Sequence, residues 1–186
     1  MSFEPRLVWT EDEKSKGKVT KWSNFWILIN SNMAGANEFE ESHLVTVMRR
    51  AVSRVFGDKK HIIHFLDVLG EDGEALTRGK MKGIDTIESV DTEGVVEVGP
   101  LVHRIHAHLL LMITHKTRLR VNIPRLRDLI RNASKENGAE EPLFKNPIIR
   151  LKVIKQDPIA AVRKYQRGYK TKIPVSLIDK INQNDT

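Results

Sequence analysis

Apolar residues along the chain change period several times, and each change predicts an element. Lys21 to Asn30 (KWSNFWILIN) is aromatic and β-branched, which predicts a buried strand. Glu38 to Phe56 repeats apolar residues at helical spacing, with Phe39, Leu44, Val47, Met48, Ala51, Val52 and Val55 on one stripe and Gly57 as its stop. His61 to Leu69 (HIIHFLDVL) predicts a second strand, and the polar, glycine-containing residues 70 to 92 a long connection. Val95 to Gly99 and His103 to Thr114 read as two strands joined by a tight turn at Pro100 and Leu101. Pro124 suits the first turn of a basic helix reaching Asn132, and Ile148 to Lys155 is a last strand. Asp157-Pro158 then caps a helix through Ile159, Val162, Tyr165 and Tyr169 that stops before Pro174. Strand, helix, strand, hairpin, helix, strand, helix predicts an α+β domain, a central antiparallel sheet of about five strands with flanking helices. Residues 1–20 read as a polar tail, 21–174 as the domain, and 175–186 as a C-terminal tail or the start of a linker.

Composition narrows the chemistry. The 186 residues are 40% hydrophobic, enough for one core, and carry a formal net charge of +7, which favours an acidic partner. With no cysteine, disulfides, thiolate zinc sites and thiol nucleophiles are excluded, so any metal is held by His, Asp, Glu or water. The N-terminus has no signal-peptide-like apolar stretch, and the longest strongly apolar run, Leu109 to Ile113, is too short for a bilayer. The expectation is an intracellular protein without a membrane partner.

Four of the seven histidines lie between positions 103 and 115. In a strand, residues two apart share a face, so His106 and His108 project together while Ile105, Ala107, Leu109 and Leu111 face the core. A hairpin turning symmetrically about residues 101 and 102 sets Glu97 opposite His106. Glu97, His106 and His108 then converge as one carboxylate and two imidazoles, a mixed N/O set that leaves coordination positions open. It suits Mn²⁺ well and Mg²⁺ less tightly, and it also admits Zn²⁺ or Co²⁺. An isolated His-x-His is more often a chance pair on a sheet; Glu97 in register is what turns the balance.

The chain's two tyrosines, Tyr165 and Tyr169, stand four apart on the last predicted helix and share a face. Arg163, Lys164, Arg167, Lys170 and Lys172 surround them, and nearby cations favour the phenolate. Such a pair more commonly packs on a core. Further cations cluster after the histidine strand, at Lys116, Arg118, Arg120, Arg125, Arg127 and Arg131, and on the last strand, at Arg150, Lys152 and Lys155. They are either a nucleic-acid contact surface or a solvated face. Trp22 and Trp26 are candidates for base stacking or for the core.

EVGPLVHRIHAHLLL followed by KYQRGYKTK resembles the HUH endonucleases, the rolling-circle replication initiators (Rep) of small single-stranded DNA viruses and plasmids, with related transposases and relaxases. His106-Ala107-His108 is similar to the family's second motif, with Glu97 at the place of the third ligand in many viral Reps. Phe25 to Asn32 (FWILINSN) loosely resembles the first. Tyr169-Lys170-Thr171-Lys172 has the spacing of the third, while Tyr165 and Tyr169 are spaced as in the two-tyrosine branch, so either or both can attack. The resemblance implies a ferredoxin/RRM-like Rep nuclease topology and an Mn²⁺- or Mg²⁺-dependent nickase and strand transferase. The tyrosine would form a 5′-phosphotyrosine, assisted by Lys172 or Lys170. It implies an origin or hairpin of single-stranded DNA as partner, with contacts from Asn30, Asn32, Arg118, Arg120, Arg125, Arg127, Lys152, Arg163, Lys164 and Lys170. It leaves open either an isolated nuclease domain or a helicase domain or protein alongside, and implies the host nucleus if the source is a eukaryotic virus. Alternatives are a non-catalytic RRM-like binding module, which would need exposed aromatics on the central strands, and a metal-dependent nuclease without a covalent step. A cupin-like enzyme would need a Glu soon after the second His, and Leu109 to Lys135 contains none.

Overall fold

The computed structural model describes residues 21–57, 59–69, 74, 87–115, 118–154 and 175–176. In chain order these form β1 (Lys21–Ala34), α1 (Glu38–Phe56), the short helix α2 (Lys59–Ile62), a 3₁₀ turn (Ile63–Phe65), β2 (Leu66–Leu69), β3 (Ile87–Val98), β4 (Arg104–His115), β5 (Arg118–Val121), α3 (Ile123–Ala133), β6 (Ile148–Ile154) and β7 (Val175–Ser176). Five strands make one sheet in the order β6-β1-β4-β3-β7, every neighbouring pair antiparallel, and β2 and β5 pair separately. The architecture is α+β.

One face of the large sheet carries the core. Phe25, Ile27 and Ile29 of β1 and Ile105, Ala107, Leu109, Leu111 and Ile113 of β4 are buried with Leu44, Val47, Met48, Val52 and Val55 of α1 and Leu126 and Ile130 of α3. Each such large side chain contributes about 1.5–3 kcal/mol by leaving water. Both helices therefore cover this face, and the residues alternating with it on β1 and β4 point to the other. Among the described residues no helix is long and apolar enough to cross a membrane.

Local chemistry explains the helix starts. Asn37 caps α1, its side-chain oxygen accepting from Glu40 N–H at 2.9 Å, and acids fill the first turn. Asn122 caps α3 likewise, accepting from Arg125 N–H at 3.1 Å, with Pro124 in the first turn. Phe39, expected on the buried stripe of α1, is instead 85% exposed. The buried stripe begins only at Leu44, because the first turn is held by its cap before the helix reaches the sheet.

Several elements depart from the pattern. His61 to Leu69 is not one strand: α2 and a 3₁₀ turn take its first half and only Leu66–Leu69 is extended. Ile62 and Ile63 are both buried, which a curled backbone permits and a strand between core and solvent does not. β3 begins at Ile87, inside the expected connection, because the acidic residues at its start occupy exposed positions of an ordinary strand. Val175 and Ser176, expected in a tail, pair with Gly94 and Glu93. The helix expected from Pro158 lies outside the described residues.

The β1–α1 connection is closely packed. A Cβ on Gly35 would come within 2.5 Å of Glu41 N and 2.9 Å of the Glu40 carbonyl carbon, both backbone atoms. Ala36 N–H donates to Glu40 Oε2 at 2.7 Å across the same gap. Gly35→Ala is expected to destabilise the fold by about 1–3 kcal/mol, as overpacking does, read as a lower urea midpoint with unchanged slope.

Candidate metal centre

The β3–β4 hairpin is closed by Gly99 N–H donating to Arg104 O at 2.9 Å and His103 N–H to Gly99 O at 3.1 Å. His103, the first residue expected in the second hairpin strand, lies in the turn, where it holds the left-handed conformation (φ 51°) and bonds through Nδ1 to Glu41 Oε1 of α1 at 3.0 Å. This turn pairs Glu97 with His106 and Val95 with His108, the register expected from its symmetry. Directly opposed residues share a face. Glu97, His106 and His108 accordingly stand together on the sheet face away from the helices.

Their ligating atoms all lie within 4.8 Å of one another. Glu97 Oε1 is in hydrogen-bonding range of His106 Nε2 and 2.9 Å from His108 Nε2. The side chains are only 9%, 16% and 13% exposed, so the cluster is shielded from bulk water and still reachable. The two imidazoles meet edge to face, centroids 4.8 Å apart.

The donor set fits a cation. His106 Nδ1 lies 3.1 Å from Arg104 O, and a carbonyl can only accept, so Nδ1 carries the proton. In the neutral ring the Nε2 lone pair then faces the carboxylate. Backbone-oriented imidazoles of this kind are the usual support of a metal ligand. Burial, and then the neighbouring His106, pushes the His108 imidazole down to about 4 from its ordinary 6.5, which keeps it in the ligating form at neutral pH.

That shift sets a pH dependence for the metal-free fold. Unfolded chains take up a proton on His108 near pH 6.5, folded chains only near 4, so stability contributed by neutral His108 is complete above about 6.5 and declines as the pH falls toward 4. Urea unfolding in chelator across this range is expected to show the decline, and His108→Gln to remove this residue's share of it.

The same face carries other candidates. Pairing across β6, β1, β4 and β3 sets Ile148, Asn30, His106 and Glu97 in one row, Arg150, Leu28, His108 and Val95 in the next, and Lys152, Trp26, Leu110 and Glu93 in a third. Arg150 and Lys152 are exposed, while Trp26 is partly buried. The face is thus basic along β6 and acidic along β3, where burial first and Asp91 second raise the Glu93 carboxyl above its usual range. Leu110 and Met112 of this face are buried.

The remaining cations separate. Arg120 and Arg125, expected on DNA, converge with Asn122 on the buried Asp67 of β2, at 3.1, 3.5 and 3.4 Å. Arg125 also donates to His64 O at 3.2 Å. Both ion pairs join β2, β5 and α3, and the single carboxylate of Asp67 offsets one of the two charges. Arg127 is exposed on α3, the helix whose Leu126 and Ile130 pack on the core face, so it stands away from the histidines. His115 is buried and hydrogen-bonded to Ser23 Oγ at 2.7 Å. Of Trp22 and Arg118 only the backbone is described, and Lys116, Lys155, Tyr165, Tyr169, Lys172, Arg163, Lys164, Arg167 and Lys170 lie outside the described residues.

One feature had no clear signal in the sequence. β1 bulges between Asn30 and Ala34, beside His106, with Asn32 in the left-handed region (φ 58°). An asparagine in a strand of apolar residues was the available hint, since Asn tolerates that conformation better than most.

No protein-family model, no curated protein and no solved structure matches the chain.

Proposed function

We propose that the chain is a site-specific nickase and strand transferase of single-stranded DNA, of the HUH kind. The convergence of Glu97, His106 and His108 on one face carries the reading. The order β6-β1-β4-β3, with α1 following β1 and α3 preceding β6, supports the ferredoxin/RRM-like arrangement expected of Rep nuclease domains.

A divalent cation, Mn²⁺ or Mg²⁺, held by the three side chains would supply positive charge to the scissile phosphate. The chain's other residues do the rest. The hydroxyl of Tyr165 or Tyr169 attacks phosphorus, its proton leaving to solvent or a basic neighbour. The P–O3′ bond breaks, its electrons and a proton giving a free 3′-hydroxyl, and the 5′-phosphate stays esterified to tyrosine. Because one ester replaces another, the 3′-hydroxyl can reverse the step and rejoin the strand. Lys172 neutralises phosphate charge during attack. Arg150 and Lys152 contact flanking phosphates from β6, and Trp26 offers an aromatic surface between them and the triad.

Incubation with Mn²⁺ and a varied pool of single-stranded oligonucleotides tests the reading. Cleaved strands with a denaturant-resistant protein–DNA adduct are expected. Cleavage with no adduct would support a metal-dependent nuclease without a covalent step, and binding without cleavage an RRM-like module.

A further inference from the structure

We propose that Asn30 orients the substrate, donating a carboxamide N–H to a non-bridging oxygen of the phosphodiester at the triad, and that the β1 bulge aims it. The assignment rests on the reading of the triad as a cation site that binds a phosphodiester.

Asn30 is the cross-strand partner of His106 on the side away from Glu97, so the imidazole stands between a carboxylate and a carboxamide. Directly opposed side chains have Cβ atoms about 4.5–5.5 Å apart. The carboxamide is also polarised. Asn32 N–H donates to Asn30 Oδ1 at 2.8 Å, which occupies its accepting end and leaves the NH₂ as the end available to the site. An NH₂ cannot ligate a metal. It complements an anion, and the anion a cation site attracts here is a phosphate oxygen.

The backbone that holds this arrangement is irregular in a specific way. β1 pairs with β4 step for step from Lys21 to Asn30, whose partner is His106; the next pair is Ala34 with Arg104. Four steps on β1 thus match two on β4, which places two extra residues directly after Asn30. The excursion is closed by the buried Ser31, whose Oγ accepts from Met33 N–H at 3.1 Å and donates to Met33 O at 3.2 Å. Asn32 takes a positive φ at its tip, and its N–H donates back to Asn30. Asn30 and Asn32, grouped together as DNA contacts by the resemblance, therefore divide the work. Asn30 touches the strand, and Asn32 acts through its backbone as a positioning residue.

Four variants test this, with Mn²⁺ affinity and Mn²⁺-dependent affinity for single-stranded oligonucleotides measured separately. Asn30→Asp keeps the acceptor for Asn32 N–H but replaces the donor with negative charge. It is expected to bind Mn²⁺ at least as tightly as the parent and oligonucleotide about 10–100-fold more weakly, the range of one hydrogen bond to a charged group. Asn30→Ser, a smaller change, covers the case in which the Asp variant fails to fold, and is expected to leave Mn²⁺ affinity intact while weakening oligonucleotide binding. Asn32→Val, poorly suited to positive φ, is expected to weaken oligonucleotide binding in the same direction without changing Mn²⁺ affinity. Asn32→Gly keeps the N–H and the conformation and is expected to stay within about threefold of the parent.

Oligonucleotide affinity unchanged in the folded Asn30 variants would overturn the assignment alone, as would Asn32→Gly losing as much as Asn30→Asp. A parent protein that binds no Mn²⁺ would overturn the cation reading itself, and the assignment with it.

Discussion

His106→Ala is expected to reduce Mn²⁺-dependent nicking by about a hundredfold to a thousandfold or more, the scale on which loss of one preorganised charge-stabilising group acts. His106 is oriented by its Nδ1–H donating to Arg104 O, which sets Nε2 beside Glu97 Oε1, so no neighbouring side chain of β4 can take its place without a change of register. Glu97→Ala is expected to match it, because Glu97 Oε1 is the atom within reach of both imidazoles. Neither change removes core volume, since the triad stands on the face opposite Ile105, Ala107 and Leu109. Thermal melts in chelator are therefore expected to stay near the parent. A variant that melts normally and nicks at parental rate would remove the triad from the chemistry.

The second large effect belongs to the tyrosines. Phenylalanine at both Tyr165 and Tyr169 is expected to abolish the covalent adduct and strand rejoining while Mn²⁺ binding persists, because only the nucleophilic oxygen is deleted. Single substitutions divide two mechanisms. If Tyr169 alone attacks, Tyr165→Phe retains adduct and Tyr169→Phe has none. If both attack, each single variant retains a first nick and loses the second transfer. Mass spectrometry of the trapped peptide reads the outcome. Full cleavage by the double variant would point to attack by water and end the covalent reading.

How much of this was legible beforehand depends on whether the signal is local. The hairpin register was readable because a tight turn and strict alternation from Ile105 to Leu109 leave one way to face apolar residues inward, and that choice carries Glu97, His106 and His108 with it. Helix starts were readable at Glu38, where the apolar stripe begins, and at Pro124, suited to a first turn; the caps Asn37 and Asn122 come from the structure.

What was not legible was decided by partners distant in sequence. Arg120 and Arg125 are candidate DNA contacts in the sequence, and nothing near them in the chain shows that Asp67, more than fifty residues earlier, also faces them across the β2–β5 pair. Phe39 has the spacing of the α1 stripe, yet the sheet meets that helix only from Leu44 onward. Ile62 and Ile63 look like strand residues until the β2–β5 pairing leaves them curled in front of it. The bulge after Asn30 depends on the position of β4, and within β1 only Asn32 hints at it.

Everything proposed for the site requires one cation bound by two imidazoles and one carboxylate at once. Pulsed electron paramagnetic resonance of the protein loaded with one equivalent of Mn²⁺ asks this directly. Two histidine nitrogen couplings are expected, one of them lost in His106→Ala and the other in His108→Ala. A spectrum with no nitrogen coupling, or with couplings untouched by both substitutions, would show that the metal is held elsewhere or by water alone.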